Sequence, residues 1–136
     1  MDHASPALPI LIVSCHPENR KMLLRVFEDL PIDSYSASSI HQAKEALHSR
    51  SFSVVFCEER LSDGAYVDLL KELKKTRQNA RLVVMLCTGE WEEYLEALRL
   101  GAEEVLRCPL QPTDVDLALI HAMRNVMPGK EFAARA

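Results

Sequence analysis

Four cysteines, one histidine and one glutamate carry the chemistry that stands out in this 136-residue chain. Cys15, Cys57, Cys87 and Cys108 each close or follow a short apolar run, and none belongs to a Cys-x-x-Cys pair. His16 comes directly after Cys15, and Glu58 directly after Cys57. Gathered in one place, three thiols with the imidazole or the carboxylate supply a tetrahedral N/S/O set suited to zinc. Two of the thiols can instead form a disulfide, provided their Cα atoms come within about 7 Å. The plainer reading is packing, because free cysteine behaves as a small hydrophobe and is among the most buried residue types. The spacing is not that of a recognised zinc motif, which favours packing. There is no Gly-rich phosphate loop and no nucleophile–base pair, so catalysis is not expected.

The elements that must position these residues follow from the apolar pattern. Nearly continuous β-branched runs occur at 9–13, 54–56, 82–86 and 105–106, the signature of strands covered on both faces. A weaker run at 33–37 fits an edge strand. Amphipathic stretches lie between them. The first carries Leu23, Val26, Phe27 and Leu30 on one helical face, with Pro17 in its first turn. The second spans about 40–50, opened by Ser39 with Gln42 three residues on, a capping-box pattern. The third spans 66–75. The fourth carries Trp91, Tyr94, Leu95 and Leu98 and stops at Gly101. The fifth starts at Thr113 as N-cap and turns Val115, Leu119, Ala122, Met123 and Val126 inward. Five β–α units in strict alternation imply an α/β fold, a doubly wound parallel sheet with right-handed crossovers. The expected division is a tail over 1–8, one domain over 9–126, and a tail or linker stub over 127–136.

Composition narrows the function classes. A net charge of −4 argues against a basic nucleic-acid surface, so no direct nucleic-acid partner is expected. Lys71, Lys74, Lys75 and Arg77 read as a solvated helix face, as do Glu90, Glu92, Glu93 and Glu96. No apolar run approaches the roughly 20 residues of a membrane span, and the N-terminus lacks the cationic start of a signal peptide. A cytoplasmic protein without a membrane partner is the expectation.

Three stretches then resemble one family. They are Ile10-Leu11-Ile12-Val13-Ser14-Cys15-His16-Pro17, Val54-Val55-Phe56-Cys57-Glu58-Glu59-Arg60-Leu61-Ser62-Asp63-Gly64, and Ala97 through Leu110, which contains Cys108-Pro109. Together they resemble the receiver domain of bacterial response regulators, over about residues 8–126. The resemblance implies a flavodoxin-like five-stranded parallel sheet of order 2-1-3-4-5 with five helices, and a site at the carboxyl ends of the strands. It implies a two-component or phosphorelay context. In the family an acidic pair after the first strand holds Mg²⁺, an aspartate ending the third strand takes the phosphoryl group, and a Ser/Thr and a lysine before a cis-proline sense it.

This sequence departs at each of those positions. The acidic pair becomes Ser14 and Cys15, and the phospho-acceptor becomes Glu58. The phosphate-sensing positions become Cys87, with Thr88 beside it, and Cys108, while Pro109 is the retained cis-proline candidate. The Mg²⁺ expected of the family loses its ligands, so no cofactor is expected. The resemblance also brings Cys15, Cys87 and Cys108 to neighbouring strand ends. With His16 they form the alternative metal set, and any two of the thiols a redox pair. Cys57 alternates away from Glu58. Glu58 itself has three readings: a fixed mimic of the phosphorylated state, a carboxylate paired with Arg60 or Arg107 or with water, or a residual acceptor, for which Asp63 is the alternative.

The reading these residues support is a pseudo-receiver that signals by protein–protein interaction without phosphotransfer. Its partner would be a histidine kinase, an output domain or another regulator. The resemblance places the partner face on the fourth helix, fifth strand and fifth helix, through Trp91, Tyr94 and Val105, where a homodimer could also form. Trp91 and Tyr94 equally suit a half-buried helix face.

Overall fold

The apolar runs pair into a sheet because each is too apolar to face water on either side. The computed structural model describes residues 7–87 and 90–126, without the side chains of residues 125 and 126. The elements run β1 (Leu8–Val13), α1 (Pro17–Phe27), β2 (Ile32–Ala37), α2 (Ile40–Ser49), β3 (Val54–Glu58), β4 (Arg60–Leu61), β5 (Gly64–Ala65), α3 (Tyr66–Lys75), β6 (Arg81–Leu86), α4 (Trp91–Leu100), β7 (Glu104–Arg107) and α5 (Pro112–Val126). The five long strands form one parallel sheet in the order β2-β1-β3-β6-β7. Once the short β4–β5 ribbon is set aside, this is the flavodoxin-like 2-1-3-4-5 order.

Strand alternation divides the core in two. Leu11, Val13, Val55, Cys57, Val84 and Leu86 face α2, α3 and α4, where Ala43, Leu69, Leu73 and Ala97 meet them. Ile12, Phe56, Val83 and Met85 face α1 and α5, against Leu23, Phe27, Val115 and Leu119. The Phe27 and Phe56 rings pack with centroids 5.6 Å apart. Each fully buried Ile, Leu or Phe contributes roughly 1.5–3 kcal/mol. Glu58 shares the Phe56 parity and so faces the α1 side, while Cys57 is sealed under α2 and α3.

Several sequence expectations are corrected. Helix α1 ends at Phe27, and Leu30 lies beyond it, exposed, because the chain turns at Leu30-Pro31 into β2. Helix α5 begins with Pro112, so Thr113 sits inside its first turn rather than capping it. The first strand takes in Leu8, one residue of the expected tail. Helix α4 buries only Ala97. Leu95 and Leu98 stay exposed, because the sheet edge at β7 covers only part of that helix. Gly101 closes α4 with φ of 122°, a conformation that favours glycine. The expected tail over 127–136 and Thr88 lie outside the described residues.

The β4–β5 ribbon has no counterpart in the sequence reading. It holds Asp63 against α2, where its carboxylate accepts from the Ile40 and His41 amides at 2.8 and 2.9 Å. Gly64 permits this approach, since a Cβ there would stand 2.6 Å from Asp68 Oδ2 and 3.0 Å from Ile40 Cγ1. Asp63 thereby serves as an acceptor at the start of α2. Among the described residues no helix is long and apolar enough to cross a membrane.

Candidate functional site at the strand ends

Parallel strands expose their carboxyl ends along one edge of the sheet, and the turns that leave β1, β3, β6 and β7 meet there. β1 delivers Ser14, fully buried, whose amide bonds Ala37 O at 3.0 Å. β3 delivers Glu58, whose amino-acid neighbours in the strand are all buried. Cys15 and His16 lead into α1, with His16 in the N-cap position. Its imidazole makes no cap bond and turns instead to the carboxylate.

Glu58 is 2% exposed and fully partnered. Its Oε2 accepts from the Ser14 hydroxyl and from Asn19 Nδ2 at 3.0 Å. Its Oε1 accepts from the Cys15 amide at 3.1 Å and lies 3.0 Å from His16 Nδ1 and 3.4 Å from Cys15 Sγ. Burial pushes the carboxyl's pKa up, but the bonds from Ser14, Asn19, the Cys15 amide and His16 outweigh it and bring it down to about 2. Glu58 is therefore ionised across the physiological range. Its partners lie on the β1–α1 side, and neither Arg60 nor Arg107 is among them, which corrects that pairing.

The thiols divide by environment. Burial pushes the Cys15 thiol up, and the Glu58 hydrogen bond and charge push it further, against a smaller opposing pull from its own backbone. Cys57 is raised strongly by burial, with added repulsion from Glu58 and Asp68. Both are free, Cys15 exposed and Cys57 buried. Cys87 and Cys108 are joined in a disulfide with Cα atoms 4.6 Å apart. This bond ties the end of β6 to the end of β7, beside the Cys108 amide that bonds Leu86 O at 2.9 Å. The Cys108–Pro109 peptide is cis.

The four-residue metal set of Cys15, Cys87, Cys108 and His16 is thus corrected, because two of its sulfurs are bonded to each other. Among the described residues the cluster that could hold an ion is Cys15, His16 and Glu58, with ligand atoms all within 4.8 Å of one another. These groups do not suit Mg²⁺. That ion demands near-octahedral oxygen ligation, whereas here a thiol and an imidazole flank one carboxylate already holding three hydrogen bonds. A cavity of about 310 Å³ opens beside the cluster, lined by His16, Glu58, Glu59, Arg60, Met85 and Cys87.

Of the expected partner face, Trp91 is 62% exposed and stacks on half-buried Tyr94, with centroids 5.2 Å apart and planes 9° apart. Val105 is corrected: it is 6% exposed, packed in the core with Ala97 and Ala102, and cannot meet a partner. Sequence reasoning missed Asn19, which contacts Glu58 and also lies 3.7 Å from Cys87 Sγ. The available signal was an asparagine, a weak helix former, in the first turn of a helix that opens beside the site.

Comparison with known proteins agrees with this fold. A family model for the response regulator receiver domain matches residues 10–120. The response regulator protein PilR of Pseudomonas aeruginosa is 26% identical over 90% of this chain, which spans only 28% of PilR's length. A two-component response regulator from Clostridium difficile superimposes with a TM-score of 0.79 at 24% identity, covering 89% of this chain and 99% of that one. The beryllofluoride-activated NtrC4 receiver domain dimer gives 0.80 at 19% identity, covering 88% and 98%.

Proposed function

The chain belongs to the response regulator receiver domain family, and we propose that it works in two-component signalling by binding a protein partner without being phosphorylated. The observation that carries this reading is the state of Glu58. A phospho-acceptor must present a free carboxylate oxygen to the donor, in line, beside a metal that neutralises charge. Glu58 has both oxygens engaged by Ser14, Cys15, His16 and Asn19, and the groups around it do not suit Mg²⁺. Two of the former sensing positions, Cys87 and Cys108, are bonded to each other, which leaves neither free to close on a phosphoryl group.

The module is a cytoplasmic binding protein rather than a catalyst, and its partner is a histidine kinase, an output domain or another regulator. The surface for it lies on α4 and α5. Trp91, Leu95 and Leu98 follow one another at helical spacing on α4, and Leu117 and Ile120 are exposed on α5. Exposed apolar side chains in such a group suit a protein contact. A second copy of this chain is one partner such an apolar surface would suit. Sedimentation of the chain with and without a small phosphodonor and Mg²⁺ tests this. The expected result is one association state in both conditions, weakened by Trp91→Ala. Association that appears only with phosphodonor would sink the reading.

A second reading, thiol-redox control, is favoured by one observation, the Cys87–Cys108 disulfide at the rim of the cavity. Reduction by a dithiol, with the disulfide accepting two electrons and two protons, would release the β6–α4 connection from β7. Loss or gain of self-association on reduction, absent in Cys108→Ser, is its signature.

A further inference from the structure

We propose that Cys15 Sγ, His16 Nδ1 and Glu58 Oε1 form a three-ligand zinc site whose fourth position opens into the strand-end cavity. The inference goes beyond the phosphorylation-independent reading and does not require it. It rests on the shape of the cluster. Zinc bonds of about 2.3 Å to sulfur and about 2.0–2.1 Å to nitrogen or oxygen, at tetrahedral angles, place ligand atoms about 3.3–3.6 Å apart. The three edges here are 3.8 Å from sulfur to nitrogen, 3.4 Å from sulfur to Oε1, and 3.0 Å from nitrogen to Oε1. Shifts of a few tenths of an ångström close the triangle on one ion.

The two carboxylate oxygens also divide their work. Ser14 and Asn19 hold Oε2 and so fix the plane of the group, while Oε1 accepts from the Cys15 amide and turns its remaining lone pair to the thiol and imidazole. Outer contacts of this kind commonly orient metal ligands. The donor set is one sulfur, one nitrogen and one oxygen, which suits zinc and not a hard cation. Cys15 and His16 are exposed while Glu58 is buried, so an ion can enter from solvent and meet an anchored carboxylate. On binding, the Cys15 S–H bond breaks, its proton leaves to buffer, and the Zn–S bond forms. His16 gives its Nδ1 proton to solvent and takes one on Nε2, a tautomer change with no net proton loss, and so ligates through Nδ1. A water fills the fourth position, as in sites with three protein ligands.

The test uses the full chain, purified without reductant so that Cys87 and Cys108 stay paired, and stripped with a chelator. Zinc uptake is measured by competition with a chromophoric chelator, and Co²⁺ serves as the spectroscopic probe. We expect one ion per chain and a thiolate-to-Co²⁺ charge-transfer band. Cys15→Ser should abolish the band, and Cys15→Ser and His16→Ala should each weaken uptake at least tenfold. Both positions are exposed, so these variants should stay folded, His16→Ala losing only the stability that its contact with Glu58 supplies, which a melt without metal reads separately from uptake. Cys87→Ser/Cys108→Ser should still bind. No stoichiometric uptake, or uptake unchanged in Cys15→Ser, would overturn the proposal.

Discussion

The Ser14 hydroxyl, at the end of β1, donates to the Glu58 carboxylate at the end of β3, joining two buried groups 44 positions apart in the chain. The resemblance to receivers assigns these two positions to metal binding and phosphoryl acceptance; here the two side chains satisfy one another.

Removing the donor should therefore be costly. Ser14→Ala deletes a hydrogen bond to a buried charge and also the acceptor of the His16 amide. The loss should be about 1–3 kcal/mol. Urea unfolding, with an unchanged m value, checks it. A variant as stable as the parent would mean that the Ser14–Glu58 contact is dispensable.

Glu58 should make the fold acid-sensitive. Its folded pKa of about 2 lies below its ordinary 4.5, so between those values the unfolded chain binds more protons than the folded one. Stability from this group is complete above about pH 4.5 and is lost as pH falls through 2. After allowance for solvent screening the contribution is about 1–2 kcal/mol. Glu58→Gln should flatten the stability profile across that window, read by thermal melts at fixed ionic strength. An equally steep profile in the variant would assign the acid response to other carboxylates.

Thiol chemistry should follow the pairing. Without reductant, the unfolded chain should show two reactive thiols, Cys15 and Cys57, and all four cysteines after reduction. In the folded chain only Cys15 should react, because Cys57 is sealed in the core. Cys108→Ser should lower stability under oxidising conditions by about 3 kcal/mol, the value of closing a loop of this length. Four reactive thiols without reductant would remove the disulfide from the account.

Asp63 should prove structural. Its carboxylate accepts from the Ile40 and His41 amides, and those two bonds bring its pKa down. Asp63→Ala should speed hydrogen exchange at those two amides and leave the Glu58 cluster undisturbed. Unchanged protection would deny it that role.

The fold was legible in the sequence because its signals are local and repeated. Short, β-branched continuous apolar runs such as 82–86 fit strands covered on both faces, and the alternation that hides Cys57 while aiming Glu58 at α1 follows from the strand period. The site was legible as a set of positions but not as a set of contacts. Whether Cys87 meets Cys108 or Cys15 depends on the twist and spacing of β1, β6 and β7, which no local pattern encodes. Asn19 escaped because its role depends on where α1 crosses the end of β3. Val105 was misplaced because a resemblance transfers a position and not the burial that Ala97 and Ala102 impose on it. Leu95 and Leu98 carried the same apolar spacing whether they met the core or solvent.

The most direct test of phosphorylation-independent action is the intact mass of the chain after incubation with a small phosphodonor and Mg²⁺. The account predicts a mass unchanged from that of the untreated chain. A hydroxylamine-labile phosphoryl adduct that disappears in Glu58→Gln would contradict it and restore Glu58 as an acceptor.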